Sequence, residues 1–222
     1  MCTGRTVATS TDASVPRIGL LLAGGASTRM GRDKARLDWQ GQPLIAHMHA
    51  LLSALPLSQV VVSGARPEYA GVIDQAPGRG PLGGIASVAQ MLPDCVLFVV
   101  PVDMPRLALP LLHRLLDAPP RACTRFAESP LPMRLQLDGE LRLWLASWLG
   151  DSDAPRALHR LQAALDVQSL SLGPEECALL DNVNTPEDWR KLASGLPTRD
   201  SDHLVSATPF PHPQSDSYET AT

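Results

Sequence analysis

Two cations, Arg29 and Lys34, stand at fixed spacing in a glycine-rich stretch that runs Leu22-Ala-Gly-Gly-Ala-Ser-Thr-Arg-Met-Gly-Arg-Asp-Lys34. Small residues let backbone N–H groups approach a ligand closely, and successive N–H groups form a nest for anions. Two basic side chains add fixed positive charge at the same place. The chemistry this suggests is phosphate binding. The stretch has neither G-x-x-x-x-G-K-[ST] nor G-x-G-x-x-G, so it is neither a Walker A loop nor a dinucleotide fingerprint.

Three further groups carry candidate chemistry. Asp103 closes the apolar run that begins at Val96 and is followed by Met104-Pro105. A carboxylate there suits Mg²⁺, which takes one or two carboxylates and fills its shell with phosphate oxygens and water; the competing reading is a helix cap near Pro105. Asp74 precedes the turn Pro77-Gly-Arg-Gly-Pro-Leu-Gly-Gly84. Its carboxylate can accept the paired donors of a guanine edge, or it is a solvated loop residue, and Gly83 and Gly84 admit a base or ribose or simply start a helix. Asn182 and Asn184 offer amides to phosphate or a pterin edge, or form an Asx turn and an N-cap. The histidines are scattered and take no role. No Ser/His/Asp or Cys/His set suggests a covalent nucleophile, which fits a transfer carried by positioning and charge stabilisation.

The elements that must hold these groups alternate along the chain. Strands are predicted at Ile18–Leu22, Gln59–Ser63, Val72–Ile73 and Val96–Val100, and helices at Pro43–Leu55, Leu82–Leu92 and Leu109–Leu116. Residues 121–137 read as two strands, with Pro130 and Pro132 forcing an irregular sheet edge. Further helices are expected at Leu141–Leu149, Arg156–Leu165 and Pro186–Leu192. Strand and helix in alternation imply an α/β fold with a mostly parallel sheet and helices on both faces, a Rossmann-like three-layer α/β/α arrangement. Ligands of such sheets bind outside the carboxyl ends of the strands, where the loop at 22–34, Asp74 and Asp103 all fall.

A chain of 222 residues suffices for one well-packed domain. That domain is expected at 17–197, between a flexible leader at 1–16 and a disordered tail at 198–222 rich in Ser, Thr, Asp and Pro. A net charge of −4 and an aromatic content of 4 % argue against a nucleic-acid or membrane-surface binder. No apolar stretch is long enough to span a bilayer and no secretory h-region opens the chain. The isolated cysteines at 2, 95, 123 and 177 read as reduced thiols. A cytoplasmic location is expected.

Taken in order, Leu22–Lys34, Gly80-Pro-Leu-Gly-Gly84, Val102-Asp-Met-Pro105 and Asn182-Val-Asn-Thr-Pro-Glu-Asp188 resemble the molybdenum cofactor guanylyltransferase family across the whole domain. The resemblance implies a nucleotidyltransferase that moves GMP from GTP to Mo-molybdopterin with Mg²⁺, releasing pyrophosphate. It implies that Leu22, Ala23 and Gly24 hold the nucleotide by backbone, that Lys34 and Arg29 neutralise the triphosphate, and that Asp74 contacts the guanine side. It further implies that Asp103 binds both Mg²⁺ and nucleotide, with Asn182 and Asn184 toward the pterin. Molybdenum-insertion proteins and apo-molybdoenzymes are the implied further partners. Where such enzymes often have an asparagine after the second strand, this chain reads Ser63, and where they often have His-Pro it reads Glu128-Ser-Pro-Leu-Pro-Met133.

Three other activities share parts of the pattern. A cytidylyltransferase on the same pterin would use CTP; Ala23-Gly-Gly25, where cytidylyl relatives more often have Ala-Ala-Gly, favours GTP. A sugar-1-phosphate nucleotidyltransferase usually needs a longer chain. A non-catalytic carrier of cofactor would bind nucleotide without releasing pyrophosphate.

Overall fold

The computed structural model describes residues 15–25, 30–151 and 158–194. Its strands are β1 (Arg17–Leu22), β2 (Asp38–Trp39), β3 (Gln42–Pro43), β4 (Gln59–Ser63), β5 (Cys95–Pro101), β6 (Cys123–Phe126), β7 (Met133–Leu137) and β8 (Val167–Leu170). Its helices are α1 (Leu44–Ser53), α2 (Pro81–Ala89), α3 (Leu109–Leu116), α4 (Gly139–Gly150), α5 (Leu158–Ala163), α6 (Pro174–Cys177) and α7 (Pro186–Ser194). Of the expected leader only Val15 and Pro16 are described, and Pro16 O accepts from Val96 N at 2.9 Å; the expected tail lies outside the described residues.

Six strands form one sheet in the order β4-β1-β5-β7-β6-β8, and β2 pairs with β3 in a separate ribbon. β1 runs parallel to β4 and β5, β6 runs parallel to β8, and β7 is antiparallel to both its neighbours. The register sets Leu22 opposite Ser63 on one side and Pro101 on the other, so three strands end level with one another. β5 is buried along its whole length, as a strand between two partners must be.

The connection β1–α1–β4 crosses in one direction and β4–α2–β5 crosses back. Right-handed crossovers therefore place α1 and α2 on opposite faces. α1 buries Leu44, Ile45, Met48 and Leu52, a single stripe. α2 is buried from Leu82 through Ala89, all round, because α4 and α5 cover the side away from the sheet. Arg134 reaches from β7 and donates to the carbonyls of Leu116, Ala118 and Pro119, and so caps the C-terminus of α3. Burial pushes the Cys95 thiol up to about 11 and the Cys123 thiol up to about 12, which makes both inert core residues.

The sequence expectations fail at two places. Val72–Ile73 is not a strand: Val72 makes one isolated bridge, to Ser63. Residues 121–137 do hold two strands, but β7 is interior and β8, unforeseen, lies at the edge. Pro130 and Pro132 precede β7, where no ladder N–H is required of them, so they impose no edge. The helix expected at 156–165 spans Leu158–Ala163, and its expected first residues lie outside the described ones.

Two loops meet at the carboxyl end of β1. Gly64 has φ +116°, and a Cβ there would lie 2.8 Å from Gly24 N and 2.9 Å from Gly24 Cα. Both the backbone angle and the approach require glycine. Gly64→Ala is expected to cost about 2–4 kcal/mol from strain and overpacking. Urea unfolding measures it, and an unchanged midpoint would refute the close approach.

Candidate active site

Lys34 opens a single turn of 3-10 helix, Lys34–Arg36, at the end of the glycine-rich stretch. Asp33 caps that turn: its Oδ1 accepts from Ala35 N at 3.1 Å. The Lys34 ammonium then donates to Asp103 Oδ2 at 3.2 Å and to Asn184 Oδ1 at 2.7 Å. The side chains are largely enclosed, at 16 % exposure for Lys34 and 22 % for Asp103. Three of the sequence motifs thus meet at one nitrogen.

Backbone geometry explains why they meet. Asp103 sits in the turn after β5, where Val102 N donates to Leu22 O at 3.0 Å. Val183 N donates to Asp103 O at 2.8 Å, which docks the segment before α7 onto the same turn. α7 is fixed by a capping box: Thr185 Oγ1 accepts from Asp188 N at 3.1 Å, while Asp188 Oδ2 accepts from Asn184 N and Thr185 N at 3.0 and 2.8 Å. These hydrogen bonds hold the Asp188 carboxyl below its ordinary value. Because Thr185 is the cap, the Asn184 side chain is left to accept from Lys34. Asp103 caps no helix, since α3 starts at Leu109 with Ala108 before it. Trp189 of α7 packs on Trp39 with ring centroids 5.8 Å apart, bringing the last helix against the chain just beyond Lys34.

The other expected residues fall as follows. Gly24 is exposed at the end of β1, but the backbone of Leu22 and Ala23 is engaged within the protein: Leu22 O accepts from Val102 N, and Ala23 N donates to Ser63 O at 3.0 Å. Of the three, Gly24 is the one that faces outward. Asp74 Oδ1 accepts from Ala76 N at 2.9 Å, with Ser87 Oγ at 3.3 Å. A Cβ on Gly83 would lie 3.0 Å from both Asp74 carboxylate oxygens, so this glycine lets the first turn of α2 close on the carboxylate. Ser63 is buried against Gly84. Asn182 is exposed and lines a pocket of ≈ 270 Å³ with Arg106, Val183 and Lys191, apart from its fellow Asn184. Arg29 lies outside the described residues.

A further residue belongs here. Arg66, in the loop after β4, is 9 % exposed. Its Nε and Nη2 donate to Ala23 O at 3.2 and 2.9 Å, and its Nη2 and Nη1 donate to the two carboxylate oxygens of Asp33, the former at 2.7 Å. The guanidinium beside Asp33 holds that carboxyl below its ordinary 3.8. A lone arginine in Gly64-Ala-Arg-Pro-Glu-Tyr69 gives no sequence signal, because its partners arrive from a different loop.

Residues 19–166 match the family model of the MobA-like NTP transferase domain. The chain belongs to that family. It is 46 % identical over 178 residues to a molybdenum cofactor guanylyltransferase of Xanthomonas euvesicatoria, covering 80 % of this chain and 94 % of the relative. A molybdenum cofactor guanylyltransferase of Pseudomonas aeruginosa is 39 % identical over 197 residues, 79 % of this chain and 94 % of the relative. Among solved structures, the molybdopterin-guanine dinucleotide biosynthesis protein A of Archaeoglobus fulgidus superposes with a TM-score of 0.64 at 19 % identity, over 81 % of this chain and 100 % of that one. The α/β nucleotidyltransferase fold is therefore established, and this chain is a nucleotidyltransferase. No helix among the described residues is long and apolar enough to cross a membrane.

The Asp33 shift carries a pH signature. A carboxyl whose folded pKa lies below its unfolded value stabilises the fold once ionised, above about 3.8, and that stability is lost as pH falls toward the folded value. Asp33→Asn should therefore lower the thermal midpoint at neutral pH and flatten its decline on acidification below that point. Parallel acid limbs in the two proteins would contradict the pair.

Proposed function

We propose that the protein is a molybdenum cofactor guanylyltransferase that transfers GMP from GTP to Mo-molybdopterin. The observation that carries this reading is the Lys34 ammonium held between Asp103 and Asn184, a cation at the mouth of a phosphate loop with a carboxylate beside it. The names of relatives at 46 % and 39 % identity support the base and the acceptor.

In this reading the triphosphate lies over Gly24 and the residues that follow it, with Lys34 turning from Asp103 to the phosphates and Arg29 assisting. An oxygen of the pterin's terminal phosphate, already anionic, forms the new bond to the α-phosphorus, and the bond from that phosphorus to the pyrophosphate oxygen breaks in line. No general base is needed. The chain's work is to hold two polyanions together and to neutralise the charge that concentrates between them. Asn184, released when Lys34 moves, can orient the acceptor, whereas Asn182 lines a separate pocket. Asp74 supports guanine: Oδ1 is held by Ala76 N, and Oδ2 has no partner among the described residues and can accept from the base.

The donor set fits Mg²⁺. Among the described residues no three His, Cys, Asp or Glu side chains converge. A single strand-end carboxylate suits a cation that takes its remaining ligands from phosphate and water, and Asp103 would hold it. Bound there, the ion would supply charge neutralisation. The need for nucleoside triphosphates and the free thiols of Cys95, Cys123 and Cys177 support a cytoplasmic reading.

Pyrophosphate release by the purified protein with molybdopterin substrate and Mg²⁺ should occur with GTP and not with CTP; release with CTP alone would reassign the base. Asp103→Ala should lower turnover at least ~100-fold, the scale of losing one charge-stabilising group, with an unchanged far-ultraviolet circular dichroism spectrum. Full Mg²⁺-dependent activity in that variant would remove the assignment of Asp103.

A further inference from the structure

Arg66 touches both ends of the glycine-rich loop. Ala23, at the start, gives its carbonyl to Nε and Nη2; Asp33, at the finish, gives both carboxylate oxygens to Nη1 and Nη2. The residue before the first contact is Leu22 of β1, and the residue after the second is Lys34. We propose that Arg66 is a positioning residue which clasps the phosphate loop shut, fixing Lys34 relative to Gly24 and Asp103. This rests on the nucleotidyl-transfer reading of that site.

The clasp is built into the backbone. Arg66 N donates to Gly64 O at 2.8 Å, and Arg66 O accepts from Tyr69 N and Gly71 N at 3.0 and 2.9 Å. Gly64 N in turn donates to Val72 O at 2.7 Å, so the arginine projects from a turn pinned at both ends. A Cβ on Gly71 would overlap Gly64 O and lie 2.9 Å from Arg66 Cβ, so the turn closes this tightly only with glycine there. The bonding pattern demands arginine. Its planar fork can satisfy a carboxylate by two parallel bonds and a carbonyl by a third and fourth, which a lysine point charge cannot do.

Two consequences make the role more than structural. Closing a loop between residues 23 and 33 restricts its ends, so Lys34 starts each turnover already placed. The guanidinium also neutralises Asp33. Without it, a carboxylate next to Lys34, paired only with the solvent-exposed Arg36 at 3.7 Å, would compete with Asp103 for the ammonium and repel the incoming triphosphate.

The test compares Arg66→Met, Arg66→Lys and Arg66→Met/Asp33→Asn with wild type by steady-state kinetics and by hydrogen exchange of the peptide spanning residues 23–34. Arg66→Met should raise KM for GTP about 10–100-fold while KM for the pterin substrate changes less than twofold. Exchange in that peptide should quicken at least tenfold, with peptides of β5 unchanged. Arg66→Lys should fall between, and the double variant should recover part of the GTP affinity because the Asp33 carboxylate, left with only the longer 3.7 Å contact to the exposed Arg36, is gone. A merely structural role would lower thermal stability in all variants and move both KM values alike or neither. GTP KM within twofold of wild type, or unchanged exchange, would overturn the proposal. If wild type releases no pyrophosphate with any nucleotide, the catalytic reading fails, and the exchange data alone decide whether the clasp exists. Should Arg66→Met not fold, Arg66→Lys carries the same comparison.

Discussion

Parallel pairing of β1 with β4 on one flank and β5 on the other, in a register that ends all three strands together, governs where chemistry can occur in this protein. Strand interiors have their N–H and C=O groups committed to ladders and their side chains to the core. Only at the strand ends does backbone become available, and here three ends are level. The loops that begin at residues 23, 64 and 102 therefore leave from one edge and must pack against one another. The close approach of Gly64 to Gly24 and the bond from Val102 N to Leu22 O are the result.

Charge at this edge is local and matched. The chain carries a net charge of −4, yet its site gathers cations, and two of them have acidic partners: Lys34 with Asp103, Arg66 with Asp33. The two pairs differ in kind. Arg66 is tied by several bonds in fixed geometry. Lys34 carries its ammonium, which reaches Asp103 and Asn184, on a flexible stem that can be redirected. Of the two cations, one can be redirected and the other is held in place.

The glycine-rich loop, the buried strand before Asp103 and the alternation of strand and helix were legible because each rests on neighbours in sequence. Asn184 was legible as a candidate, though its amide and not its capping ability is what reaches Lys34. Arg66 was not legible, since a single arginine in a polar turn has no pattern and its partners lie 33 and 43 residues away. β8 escaped for a different reason: Val167–Leu170 is short and half-exposed, with no alternation to mark it. The interior place of β7 was hidden by prolines that adjoin the strand without entering it. Backbone engagement of Leu22 and Ala23 depends on which loops fold over the strand end, and no local residue pattern encodes that.

The bond between Lys34 and Asn184 spans 150 residues. On a ribosome adding roughly 5–20 residues per second, the lysine exists for about 8–30 s before its amide partner is made. Asp103 emerges in between, so the nascent chain holds its cation and its carboxylate well before α7 can dock Trp189 on Trp39 and bring Asn184 in. The order of synthesis thus supplies Lys34 and Asp103 first and Asn184 last. A chain released before α7 would have Lys34 and Asp103 without the amide that Asn184 brings.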